Sequence, residues 1–227
     1  MDLSAASRHR IHVADGIEVS GLLRRAPQER ACIVLGHGAG AGMEHPSMIA
    51  LSDDLATRGL SSLRYQFPYM ELGRKRTDPP ALCHATVRAA AAALAALAPS
   101  VPLFAGGRSF GGRMTSQAQA LAPLAGVRGL VFFAFPLHPA EKPAIDRAQH
   151  LAAIEVPMLF LQGTRDALAT LSLLQGVVQR LGAMATLKLL EGADHSFHVP
   201  ARAARGAKEI KAEMLDELEA WIAPLSG

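Results

Sequence analysis

The chain is short of the features that mark disulfide scaffolds, membrane proteins and polyanion binders. It has only two cysteines, and neither looks like half of a framework: Cys32 lies in the apolar run Ala31-Cys-Ile-Val-Leu35, and Cys83 near the start of an alanine-rich segment. Both are expected to be reduced packing residues of a cytosolic protein. No run of about 18 uninterrupted apolar residues occurs, and the segment Met1 to Arg10 carries no apolar stretch long enough for a signal peptide. A cytoplasmic protein with no membrane partner is therefore expected. The basic excess is small, a net charge of +3, and its one dense cluster is Arg74-Lys75-Arg76. Such a run is usually a solvated face, so no nucleic-acid partner is expected. Cysteine and histidine spacings match no zinc site, and no P-loop is present. Internal repeats and linkers are also missing.

What remains is a chain built for a large core. Hydrophobic residues make up 50 % and charged residues 19 % of the sequence, which argues against disorder. At 227 residues, one α/β domain spanning 1–227 is expected, large enough to fold without disulfide or metal. Two short strands, Arg10 to Ala14 and Ile17 to Arg24, flank Asp15-Gly16, a dipeptide that favours a tight hairpin. After Pro27, apolar runs of strand length alternate with helical segments, the pattern of a mostly parallel central sheet with helices on both faces. The strands are read as Ala31 to Leu35, Leu60 to Gln66, Val101 to Ala105, Gly129 to Phe135, Pro157 to Gln162 and Ala185 to Leu190. Helices are expected from Ser47 to Arg58, Pro80 to Ala98, just after Ser109, Ala167 to Leu181, and Ala207 to Ile222.

The chemistry gathers around Gly107-Arg-Ser-Phe-Gly111, a G-x-S-x-G match that follows a strand and opens a helix. In that setting the glycines permit a turn so sharp that Ser109 is pushed above the sheet edge as a nucleophile. A serine hydroxyl needs a base within reach, and for such an elbow the chain order is Ser, acid, His. His195 leaves the last strand through Glu191-Gly-Ala-Asp194, at the carboxyl edge where sites of such sheets gather; His198 lies nearer the last helix. The acid is expected from the preceding strand, which delivers Gly163-Thr-Arg-Asp166. Asp166 is preferred to Asp194, because a carboxylate beside its own histidine seldom reaches the ring nitrogen that needs orienting.

The oxyanion formed on attack needs two N–H donors. Phe110 is expected to supply one, and Ala39, in the loop Gly36-His-Gly-Ala-Gly40, the other. The same loop satisfies G-x-G-x-x-A, but the next strand ends without the acidic residue that would hold a ribose, so a dinucleotide is set aside and no cofactor is expected.

Together, His37-Gly-Ala-Gly40, Gly106-Gly-Arg-Ser-Phe-Gly111, Phe135-Pro-Leu-His138 and Ala193-Asp-His-Ser196 resemble the α/β-hydrolase superfamily over nearly the whole chain. Within it the sequence is similar to the group that includes testis-expressed protein 30 and the hydrolase-like domain of the third subunit of the NSL histone-acetyltransferase complex. Bacterial relatives are described as related to dienelactone hydrolase, which uses cysteine where this chain has Ser109. The resemblance implies an α/β-hydrolase fold and a serine hydrolase of small esters or thioesters. It also admits a rival, a scaffold or binding module that keeps the fold without the chemistry. A homodimer is compatible with either.

His37, Tyr69, Arg74, Arg108 and His138 are candidate substrate contacts. The alternative for the loop after the second parallel strand is that Glu-Arg and Asp-Arg pairs hold it; for His37 it is a loop-shaping hydrogen bond. Arg108, Arg113 and Arg74 are expected to converge on the pocket and favour an anionic substrate. About twenty residues separate the strand ending at Phe135 from the one starting at Pro157, too few for a helical cap, so an open, shallow pocket is expected.

Overall fold

The computed structural model describes residues 6–200 and 205–227; the first five positions of the segment inspected for a signal peptide lie outside them. The chain opens with a hairpin, β1 (Ser7–Ala14) antiparallel to β2 (Ile17–Arg24), turning at Asp15-Gly16 where Gly16 takes the left-handed conformation that glycine tolerates, φ 72°. In β3 (Ala31–Gly36) every residue is buried, with Cys32 and Val34 facing one core and Ala31, Ile33 and Leu35 the other. The same alternation runs through β5 (Leu103–Arg108), β6 (Val127–Phe133) and β7 (Met158–Gly163); Phe132 and Phe160, for example, face the first core and Phe133 and Leu161 the second. Strands buried on both faces require helices on both sides.

Eight strands complete the sheet in the order β1-β2-β4-β3-β5-β6-β7-β8, with β4 (Leu60–Tyr65) antiparallel to β2 and β8 (Ala185–Leu190) parallel to β7. The first core is closed by α3 (Pro80–Leu97), α4 (Phe110–Leu121) and α5 (Leu171–Leu181), which contribute Val87, Met114 and Leu174. The second is closed by α1 (Pro46–Thr57) and α6 (Ala207–Ile222) through Leu55 and Leu218. By length and composition α3 could cross a bilayer, yet its Cys83, Val87, Ala91 and Leu94 face packs into the first core.

Some boundaries differ from the sequence reading for identifiable reasons. β5 starts at Leu103 rather than Val101 and continues to Arg108, because Gly106 and Gly107 pair with the neighbouring strands. The helix expected from Ala167 begins at Leu171, since residues 164–170 are held as a loop: Leu168 N–H donates to Asp166 Oδ1 and Thr170 N–H to His138 Nε2. A short helix, α2 (Pro68–Glu71), was not anticipated; Pro68 starts it, and the Glu71 carboxylate accepts from Ser20 N–H and Oγ–H on β2. The β6–β7 connection holds only a 3₁₀ turn, Asp146–Ala153, packed on α4.

Candidate active site

The strand order reverses at β3, whose neighbours β4 and β5 lie on opposite sides, so the loops leaving the carboxyl ends of β3 and β5 part and form a crevice. Ser109 stands there between β5 and α4. Its φ of 50° and ψ of −114° lie outside the regions a serine prefers, a strain on the order of 1–3 kcal/mol that surrounding contacts must hold in place. Ser109 N–H donates to Phe133 O at 2.9 Å. A Cβ on either Gly107 or Gly111 would overlap the Gly36 backbone, so the elbow crosses the end of β3 at a separation only glycine allows.

Two loops at the carboxyl ends of β7 and β8 bring in the other groups. His195 Nε2 lies 2.8 Å from Ser109 Oγ, and His195 Nδ1 lies 2.7 Å from Asp166 Oδ2. An ionised carboxylate only accepts, so the ring donates from Nδ1, which leaves Nε2 as acceptor for the serine hydroxyl. The Asp166 side chain is buried, whereas that of His195 is a quarter exposed. The two loops lie back to back: Arg165 N–H donates to Ala193 O, Gly192 N–H to Thr164 Oγ1, and a Cβ on Gly163 would strike the Ala193 carbonyl. Asp194 shapes its own turn, its Oδ1 accepting from Ser196 and His198 N–H at 2.7 and 2.9 Å. His198 is exposed at the cleft rim.

Gly38, Ala39 and Gly40 line one wall of a cleft of about 610 Å³ that also contains Ser109, Arg108, His195 and His198. Phe110 N–H is the first of α4, where no intrahelical acceptor exists and the helix dipole presents positive charge. Among the described residues neither Ala39 N–H nor Phe110 N–H has a hydrogen-bond acceptor in the protein. Both N–H groups are left free to donate. The model of the alpha/beta hydrolase domain family matches residues 29–223.

The chain belongs to the alpha/beta hydrolase family. Its fold is similar to that of an alpha-beta serine hydrolase homologue from Coxiella burnetii, with TM-score 0.74, 17 % identity and coverage of 94 % of this chain and 98 % of that one. An a/b serine hydrolase without lid from Xanthomonas campestris gives 0.75 and 16 % over 96 % and 95 %. Dienelactone hydrolase from Anabaena variabilis gives 0.74 and 17 % over 96 % and 97 %.

Several residues read from the sequence as substrate contacts sit beneath the cleft of this alpha/beta hydrolase instead. His37 is fully buried: its Nε2 accepts from Phe67 N–H at 3.0 Å and its Nδ1 donates to Gly38 O at 2.8 Å. Burial lowers its pKa to about 4, against the opposing pull of the Gly38 carbonyl, and protonation at Nε2 would set two donors face to face. Tyr69 is also fully buried, its hydroxyl donating to Ala39 O at 2.9 Å and so fixing the loop from below. His138 is buried and pins the loop after β7, accepting from Thr170 N–H and donating to Pro139 O. All three reach past the cleft to backbone groups that would otherwise be unpaired.

Nor do the three arginines converge. Arg74 pairs with Asp78 at 2.9 Å, and Asp78 also accepts from Tyr69 N–H, so the structural alternative holds for this loop. Arg113 lies over the Phe110 ring, 5.7 Å from its centroid. Only Arg108 of the three lines the cleft, and among the described residues its guanidinium has no hydrogen bond or ion pair. Burial holds its guanidinium below the ordinary arginine value, partly offset by the Asp194 carboxylate. Burial also pushes the Cys32 and Cys83 thiols up to about 12, which leaves them inert packing groups.

Sequence reasoning missed Gln162. Its amide donates to Asp166 Oδ2 at 2.5 Å, and its Oε1 accepts from Phe135 N–H at 2.9 Å. The signal was available: a polar residue ends an otherwise apolar buried strand.

Proposed function

We propose that the protein is a serine hydrolase of small esters or thioesters that works through an acyl-enzyme. The observation that carries this reading is the unbroken hydrogen-bonded line from Ser109 through His195 to Asp166, at the crevice where the strand order reverses. In the proposed cycle, Ser109 Oγ attacks the acyl carbon while its proton passes to His195 Nε2. The carbonyl oxygen becomes an oxyanion that Ala39 and Phe110 N–H stabilise. Collapse expels the alcohol or thiol, which takes the proton from His195, and the acyl group stays on Ser109. Water then enters, His195 removes its proton, and the second collapse releases the acid and restores the serine. Asp166 keeps the ring in the Nδ1–H tautomer and stabilises the imidazolium formed in each half. No step needs a cofactor.

Arg108, which lines this cleft and whose guanidinium makes no ion pair among the described residues, is suited to a carboxylate or phosphate on the substrate. The reading is tested by turnover of p-nitrophenyl acetate: the wild type should cleave it with saturation, and Ser109→Ala should fall to the background rate while keeping its melting temperature. Undiminished turnover by Ser109→Ala would remove Ser109 from the reaction. The scaffold alternative predicts no turnover by either protein.

A further inference from the structure

Beside the cleft, a second void of about 190 Å³ opens between α1 and α6, at the top of the second core. Its apolar walls are Ala50, Leu51, Phe133, Phe197, Ala207 and Met214. Ser47, Arg108 and Ser196 line both this void and the cleft that holds Ser109 and His195, so the two adjoin.

The walls are built by the elements that form the catalytic edge. Phe133 ends β6 and accepts from Ser109 N–H through its carbonyl, while its ring faces the second core. Phe197, two residues after His195, takes a left-handed φ of 62°, a strain imposed by the Asp194-centred turn, and packs its ring against that core instead of solvent. Across the void, Asp54 on α1 and Lys211 on α6 join at 2.8 Å and tie the two helices together. An apolar cavity of roughly 150 Å³ can hold a benzene-sized molecule, so this void has room for a group of about six carbons.

We propose that this cavity receives an apolar group of the substrate, so that the preferred ester or thioester carries a chain or ring of about six carbons on one side of the scissile bond. The proposal rests on the hydrolase reading above. A methylene moved from water into such a cavity contributes about fourfold to kcat/KM, provided the contact persists in the transition state.

The test is a pair of ester series. p-Nitrophenyl esters lengthen the acyl side from two to twelve carbons, and n-alkyl acetates followed by proton release lengthen the alcohol side. One series should rise about fourfold per methylene to an optimum near six carbons and then fall. Ala50→Trp and Ala207→Trp, both at exposed positions, should each lose that rise and shift the optimum to the shortest ester, with melting temperatures reported alongside. Labelling of Ser109 by a fluorophosphonate, read on the wild type, separates the two claims. Labelled wild type with both series flat, or with an optimum that neither variant moves, overturns the pocket and leaves the hydrolase standing. Wild type that is neither labelled nor active overturns both.

Discussion

Gln162 and Asp166 both stand at the carboxyl end of β7, and the Gln162 amide donates to the same carboxylate oxygen, Oδ2, that accepts from His195 Nδ1. Its other end accepts from Phe135 N–H, so one side chain bolts the loop after β6 to the carboxylate that accepts from His195.

Gln162→Leu keeps the volume and removes both bonds. It should lower kcat on the order of tenfold with little change in KM, because a small misplacement of a reacting group is costly. It should also destabilise the fold by about 1–3 kcal/mol, since Phe135 N–H is left buried and unpaired. Steady-state kinetics with denaturant unfolding checks both, and unchanged kcat would reduce Gln162 to a structural bolt.

The two aspartates near His195 are separable. Asp166→Asn places an amide against His195 Nδ1, favours the wrong tautomer, and should cost on the order of 10⁴ in kcat, the magnitude known for the serine-protease triad. Asp194→Asn retains an oxygen that can accept from Ser196 and His198 N–H and should change kcat by less than about threefold. The reverse pattern would assign the orienting role to Asp194.

The site's outline was legible because its chemistry is tied to strand ends. Asp166 follows the loss of apolar character after Gln162, His195 follows the last strand, and the glycines around Ser109 announce a turn that only they permit. What stayed hidden was the direction in which buried polar groups point. His37, Tyr69 and His138 sit on carboxyl-edge loops, where pocket residues are expected, yet each reaches backward to a backbone group. The cavity between α1 and α6 was equally invisible, since Ala50, Phe133 and Met214 meet only through tertiary packing. Beside the open cleft expected from the sequence lies an apolar void that the sequence did not announce.

On the proposed function, a preference for substrate charge would rest on Arg108. A carboxylate-bearing ester should exceed its neutral counterpart in kcat/KM by about tenfold, with the advantage shrinking as salt rises. Arg108→Gln should abolish that preference while sparing the neutral ester more. Equal rates on the two esters, independent of salt, would show that Arg108 recognises no anion.

His37 gives the fold an acid-sensitive point. Its folded pKa of about 4 lies below the unfolded value of 6.5, so the unfolded chain binds the extra proton between those values. The stability this residue contributes is full above about pH 6.5 and is lost as pH falls toward 4, by up to roughly 3 kcal/mol. Denaturation midpoints from pH 7.5 to 4 should drop more steeply for the wild type than for His37→Gln. Parallel curves would contradict the buried neutral ring.

The most direct measurement is the mapping of covalent adducts. After incubation with a fluorophosphonate, intact-mass spectrometry and peptide mapping of the wild type should find one adduct, on Ser109. Ser109→Ala should carry none, and His195→Ala should be labelled far more slowly. An unlabelled wild type, or an adduct on any other residue, would contradict the account.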